Sequence, residues 1–417
     1  MTLPDDPPGS VDGHTPSPVR ELWSDDNYRN FWVAQILFWG VNGTLRFVFI
    51  WLIVTLTDWP SAEGLIGIAL GLPALLLSVP AGAWSDRVNR QKFIRQWTLV
   101  TGALFAAFAI VVGTGGATPI LAGVAAIFIG VSTSLISPST SAIVPTLVPG
   151  RLLMNATALQ NGGGQAAQFT GLVLGGGAIA LFGNAAGFAL LAAMCAASAA
   201  LMAKVDIEHT PPTEPARMRV LASEIVAGTK YGLGRDPMRT LLLLALALGT
   251  SFSAMQITIP RVVEEDYGLG SGAAGLLLGT FGVGMLISST LIASRREMRH
   301  GRNVSLFVGV GLGMGQFLLS LAPNYGVSIA VMIAWGINAG IAIASHRTLL
   351  QRETSPEMMG RVMGLMTLGF AGGLPFGALA QSLLAPAVGP VMTMRIVGIA
   401  TMCITIPLTW RRSFYTR

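Results

Sequence analysis

The chain has 417 residues, of which 52% are hydrophobic and only 11% charged, and its mean hydropathy is +0.63. A soluble globular chain carries roughly a quarter of its residues as Asp, Glu, Lys and Arg and could not bury this much apolar surface. Disordered chains are excluded for the opposite reason, being poor in apolar residues. The composition describes an all-α integral membrane protein.

Residues 1–27 are polar and Pro-rich, with Asp5-Asp6-Pro7-Pro8 and Pro16-Ser17-Pro18, and are expected to form a disordered cytoplasmic tail rather than a signal peptide. Apolar runs of about 20 residues then mark the spans. Residues 30–57, with Arg46 as their sole charge, give span 1, and residues 64–85 give span 2. Residues 96–150 and 152–203 are charge-free and too long for one span each. Each run holds two, turning at 113–119 and at 182–184. A polar linker over 204–239 follows; its segment 218–231 has helical spacing and reads as an interfacial helix. Residues 240–260 and 267–294 give spans 7 and 8. Residues 303–346 hold two spans, turning at Pro323-Asn324. Residues 362–410, interrupted by Arg395, hold the last two, turning near 386–390.

The expected fold is therefore twelve transmembrane helices in two bundles, residues 28–203 and 240–412, with a tail over 413–417. Placing both termini in the cytoplasm puts 23 of the 26 basic residues inside, as short loops require; Arg46, Arg261 and Arg395 are the exceptions. The net charge of +6 thus reports orientation and calls for no nucleic-acid partner. A weak repeat at about 207–212 residues relates Gly64, Gly67 and Gly71 to Gly275, Gly279 and Gly282, and Cys195 to Cys403. Such symmetry points to a transporter that rocks two halves about a central site.

The best-defined motif lies between spans 2 and 3: Gly82, Asp86, Arg87, Arg90 and Lys92 in the pattern Gly-x-x-x-Asp-Arg-x-x-Arg-x-Lys. On charge alone it reads as a positive-inside turn with one compensating acid. It also resembles the signature of the major facilitator superfamily, as do the two sets of six spans. That resemblance implies a cytoplasmic latch, in which the Asp pairs with the start of span 11. The usual Gly of the turn is Asn89 here, a residue that tolerates left-handed backbone. The stretches at 27–31, 143–149, 155–160 and 349–364 resemble the drug:proton antiporters related to macrolide and siderophore exporters. Two features depart from that branch. Span 5 has Gly171, Gly175 and Gly176 as a packing seam but no kinking Pro, and span 4 has no buried Arg.

Intramembrane charges are functional candidates. Arg46 with Asn42 forms a polar pair expected in a central cavity, together with Gln168, Gln256 and Asn338; ordinary interhelical hydrogen bonding is the bland alternative for each amide. No Asp or Glu falls firmly inside a span, so proton coupling would have to use Asp86, Glu63 or the Glu264-Glu265-Asp266 cluster, which otherwise reads as a solvated outer loop. His14, His209, His300 and His346 form no metal-ligand set with the two cysteines, and no phosphate-binding loop is present. No enzyme, metal or cofactor is expected.

The resemblance implies a proton-coupled exporter of amphiphilic molecules in the plasma membrane, a monomer whose partners are its small-molecule substrate, lipid and protons. The missing membrane carboxylates favour instead a facilitator or importer of a neutral or anionic metabolite. A silent scaffold or sensor is the third reading, and an intact latch argues against it.

Overall fold

A computed structural model of the chain describes residues 18–59, 61–85, 89–141, 143–206, 234, 236–293, 302–354 and 358–410. Twelve long helices dominate it: α1 (Asp26–Leu56), α2 (Ser61–Ser85), α3 (Arg90–Gly113), α4 (Pro119–Ser141), α5 (Leu153–Phe182), α6 (Asn184–Met202), α7 (Asp236–Glu265), α8 (Ser271–Ala293), α9 (Arg302–Leu319), α10 (Tyr325–Glu353), α11 (Met359–Val388) and α12 (Pro390–Trp410). Among the described residues, ten have the length and apolar composition to cross a membrane, and the other two contain the apolar segments Ser61–Pro73 and Val310–Leu319. The chain is a multi-pass membrane protein.

The turns fall where Gly and Pro interrupt the apolar runs. Gly115, Gly183 and Gly389 adopt φ of 75°, 84° and 81°, which only glycine enters without strain, and each ends a helix at a predicted boundary. Asn324 caps α10 by accepting the Val327 amide at 3.0 Å.

Helix neighbours repeat between the halves. α1 packs on α5 as α7 packs on α11; α2 on α4 as α8 on α10; α3 on α6 as α9 on α12. The halves meet along two seams that the same symmetry relates, α5 against α8 and α2 against α11. Aromatic stacking fills the first half, where Phe49, Phe108 and Phe188 have centroids 4.9–5.6 Å apart.

The first and last described residues, 18 and 410, lie on one side of the bundle, here called the terminal face; the other is the distal face. On the terminal face, residues 18–24, placed in the tail by the sequence reading, form a short helix. Leu22 is buried, Trp23 packs edge-on to Trp32, and Glu21 pairs with Arg151 in two hydrogen bonds. Asp25 then caps α1 through the amides of Asn27 and Tyr28. Within the stretch 1–27 expected to be disordered, the described residues 18–24 are thus helical. Most of the polar linker, with its expected interfacial helix over 218–231, lies outside the described residues.

Candidate functional site

Between the halves, on the terminal side of the bundle's mid-plane, lies a cavity of about 320 Å³. Its walls come from α1 and α5 of the first half and from α7–α11 of the second. Six aromatic side chains line it: Trp39, Phe169, Phe252, Phe281, Trp335 and Phe370. Phe281 is their hub, with ring centroids 5.8 Å from Phe169, 6.2 Å from Phe252 and 5.6 Å from Trp335. Met255, Met285 and Met366 add polarizable, adaptable surface.

Polar groups in the wall are few. They are the amides of Gln165 and Gln168, the hydroxyls of Ser251 and Thr367, and the pair His346 and Arg347 near the terminal face. The His346 ring is buried and its Nε2 has no hydrogen-bond partner. Arg347 is exposed. The lining contains no Asp or Glu among the described residues.

The residues singled out in the sequence are distributed unevenly about this cavity. Gln168 lines it. Asn42 donates to the Phe38 carbonyl of its own helix at 2.9 Å and lies outside the lining. Arg46 also lies outside it, half-buried, with Nη1 unpartnered and Nη2 3.9 Å from where a Cβ on Gly71 of α2 would lie. Trp39, Asn42 and Arg46 nonetheless share one helix face, at i, i+3 and i+7, so the two polar residues continue distally from the cavity wall. Gln256 is buried away from the cavity, and Asn338 packs against Gly311 of α9.

The span 5 glycines divide between two partners. A Cβ on Gly171 would lie 2.7 Å from the Gly40 carbonyl, and Gly175 faces Thr44, so both serve packing of α5 on α1. Gly176 faces the other half: its Cβ would be 2.6 Å from the Ser271 carbonyl and 3.0 Å from Gly275 Cα. Ser271 Oγ donates to the Gly176 carbonyl at 3.2 Å. On the second seam, Ser61 Oγ donates to the Ser382 carbonyl at 2.6 Å, beside Gly64 packed on Ala378. Both sets of contacts lie in the distal half of the bundle, which is closed there.

Of the predicted latch, Asp86 and Arg87 lie outside the described residues, whereas Gly82 is in α2 and Arg90 and Lys92 open α3. Asn89 corrects one expectation. Its φ is −61° and ψ 108°, extended rather than left-handed, and its side chain accepts the Lys92 amide at 3.0 Å. Asn serves this turn as a helix N-cap, a task Gly performs without a side-chain acceptor.

One constellation escaped the sequence reading. Arg261 of α7, 2% exposed, donates from Nε to Glu63 of α2, which is 0% exposed. It also donates from Nη1 to Glu265 at 2.6 Å and from Nη2 to the Thr57 carbonyl at 2.9 Å. This network ties α2 and the end of α1 to α7 across the distal face. The available signal was Arg261 itself, a basic residue on the side that short loops keep free of them.

Among the described residues, twelve long helices in two pseudo-symmetric sets of six, with a cavity between them that is sealed on one side, form the architecture of a membrane transporter. The family model for the Major Facilitator Superfamily matches residues 31–378 and 241–414, and the chain belongs to that superfamily. It is 26% identical over 361 residues to an uncharacterized MFS-type transporter, y4rN, of Sinorhizobium fredii, covering 83% of this chain and 86% of that protein. Among solved structures, its fold resembles a bacterial homolog of the human lysosomal transporter Spinster in an inward-facing, unoccupied conformation. The TM-score is 0.73 at 13% identity, over 97% of both chains. It also resembles the nucleoside transporter NupG, with a TM-score of 0.71 at 12% identity over 93% of this chain and 99% of that one.

Proposed function

We propose that this protein moves amphiphilic small molecules across the plasma membrane by alternating access, with both termini and the terminal face in the cytoplasm. The observation that carries the reading is the cavity itself. An apolar wall of six aromatic rings with a few amides and hydroxyls suits a ligand with a large apolar body and few polar groups. With the terminal face cytoplasmic, the distal seal supports reading this conformation as the one loaded from, or emptied to, the cytoplasm. Export coupled to protons is the direction that the resemblance to drug antiporters supports.

A second reading, a facilitator or importer, draws on the same wall. With Arg347 and His346 as the ionisable groups and no acid among the described lining residues, the cavity favours neutral or anionic solutes over cations. The experiment is transport into and out of proteoliposomes carrying an internal pH dye. A macrolide, a cationic dye, and an aromatic carboxylate with its methyl ester are supplied one at a time. Proton flux that accompanies solute movement supports the exporter, and movement of carboxylate or ester without it supports the facilitator. Solute movement that is insensitive to blocking the cavity with Gly164→Trp, beside the Trp39 ring, rejects both.

A further inference from the structure

The distal network holds more negative charge than its single cation balances. Arg261 faces two carboxylates, Glu63 and Glu265, so the cluster carries a net charge of −1 when both are ionised. Glu265 is 46% exposed and can be hydrated. Glu63 is fully enclosed: Oε1 accepts from Arg261, while Oε2 is buried with no hydrogen-bond partner. The further charges nearby are the acids Glu264, Asp58 and Asp266 and one cation, Arg395 of α12. Arg395 lines a recess with Glu265 and Asp266 and donates to Ser320, so the surroundings remain net acidic. The surfaces of α11 against this end of α2 are the uncharged Ala378 and Ser382, and α4 carries no charged residue. A buried carboxylate oxygen without a donor, in a cluster already negative, is an environment that favours the neutral acid.

We infer that Glu63 is a proton-binding site, filled from the distal side when the seam is parted and buried with its proton when the seam closes. The inference rests on the alternating-access reading above. The added proton forms an O–H bond at Oε2, taken from distal water, and no other bond breaks. Oε1 continues to accept from Arg261 Nε, and Arg261 keeps Glu265 and the Thr57 carbonyl. The cluster becomes neutral. When the seam is parted, water solvates Glu63 and its proton affinity returns toward that of an ordinary carboxyl. The closed state therefore holds the proton more tightly than the open one, and by linkage acid on the distal side favours closure. Antiport needs a step of this sign, in which a proton from outside accompanies the return of the empty transporter to its inward-facing state.

The test uses the full chain in nanodiscs, with spin labels on the distal loops of the two halves at Ala117→Cys and Pro323→Cys, in a Cys195→Ala, Cys403→Ala background. Distance distributions are recorded between pH 8 and pH 5.5. The short-distance population is expected to rise relative to the long one on acidification, by up to about tenfold for each unit by which the closed state binds the proton more tightly. Glu63→Gln, a neutral mimic, is expected to give the short distance at every pH. Glu265→Gln, at an exposed side chain, removes the excess charge without touching the buried one; it is expected to raise the short population at pH 8 and shrink the pH response. Distances that ignore pH in the unsubstituted protein, a full pH response in Glu63→Gln, or the same closure produced by sodium at constant pH would each overturn the site. Solute transport in proteoliposomes is measured separately: transport that persists beside a flat distance response removes this site and leaves the transporter.

Discussion

The two ends of the bundle are built from different materials. Toward the terminal face the halves stand apart around aromatic and methionine side chains. Toward the distal face they touch through glycines, serine hydroxyls and one charged cluster. Large side chains make a surface that can receive a ligand, whereas small ones make a seam that closes backbone against backbone. The difference also concerns reversibility. A buried ion pair forfeits several kcal/mol of hydration per ion, which is regained when water returns, so a seam containing Arg261 and Glu63 is held shut by a small difference between large terms. Seams of that kind suit a molecule with two states close in free energy.

The largest effect is expected from Arg261→Leu at pH 8, where closing the seam would bury an ionised Glu63 without its partner. The closed form should lose about 3–5 kcal/mol, read as a lowered melting temperature in detergent and a loss of the short distal distance. Adding Glu63→Leu should recover most of that loss, and a double variant no better than Arg261→Leu would show the network contributes little to closure. Next comes Gly176→Val, whose Cβ would meet the Ser271 carbonyl and Gly275 Cα. Overpacking there should cost about 1–3 kcal/mol and hold the seam open, and transport at the unsubstituted rate would contradict the assignment. Phe281→Ala removes the hub of the aromatic wall. It should weaken ligand binding, followed by tryptophan quenching, by about tenfold (about 1.4 kcal/mol) while leaving the distal distances alone.

The smallest effect belongs to the tail helix. Arg151 holds the Glu21 carboxyl below its usual range. Their contact is complete above the ordinary carboxylate range and is lost only as pH falls through that lowered value. Glu21→Gln should speed proteolysis near residue 18 at neutral pH without altering transport. Equal cleavage of both forms would mean that Leu22 and Trp23 anchor the helix alone.

The span pattern was legible because charge and turn residues act locally. Gly183 and Gly389 mark their turns wherever the helices go, and each apolar run reports its own length. The cavity was not legible, since Phe169, Phe281 and Trp335 look like ordinary core in any apolar helix, and only the neighbours of that helix decide whether a ring meets another side chain or empty space. Amides drew attention in the sequence because they are rare in spans, yet Asn42 satisfies itself within its own helix and Gln168 alone of the five cavity candidates reaches the wall. Glu63 and Arg261 stand 198 residues apart, and as isolated loop charges neither announces the other.

Gly183 and Gly389 have one further consequence. Each is the single residue between two long antiparallel helices, α5 to α6 and α11 to α12, with ψ of 174° and 164°. A one-residue elbow in a region that is essentially glycine-only has no slack. In an alternating-access cycle each pair would pivot as a stiff lever, with its inner arm in a seam and its outer arm in the rim of the bundle, where Ile399 and Ile404 of α12 are exposed. Whenever the seam parts, the lipid annulus must be displaced with it, and the thickness and stiffness of the host bilayer enter the rate at which the two halves exchange positions.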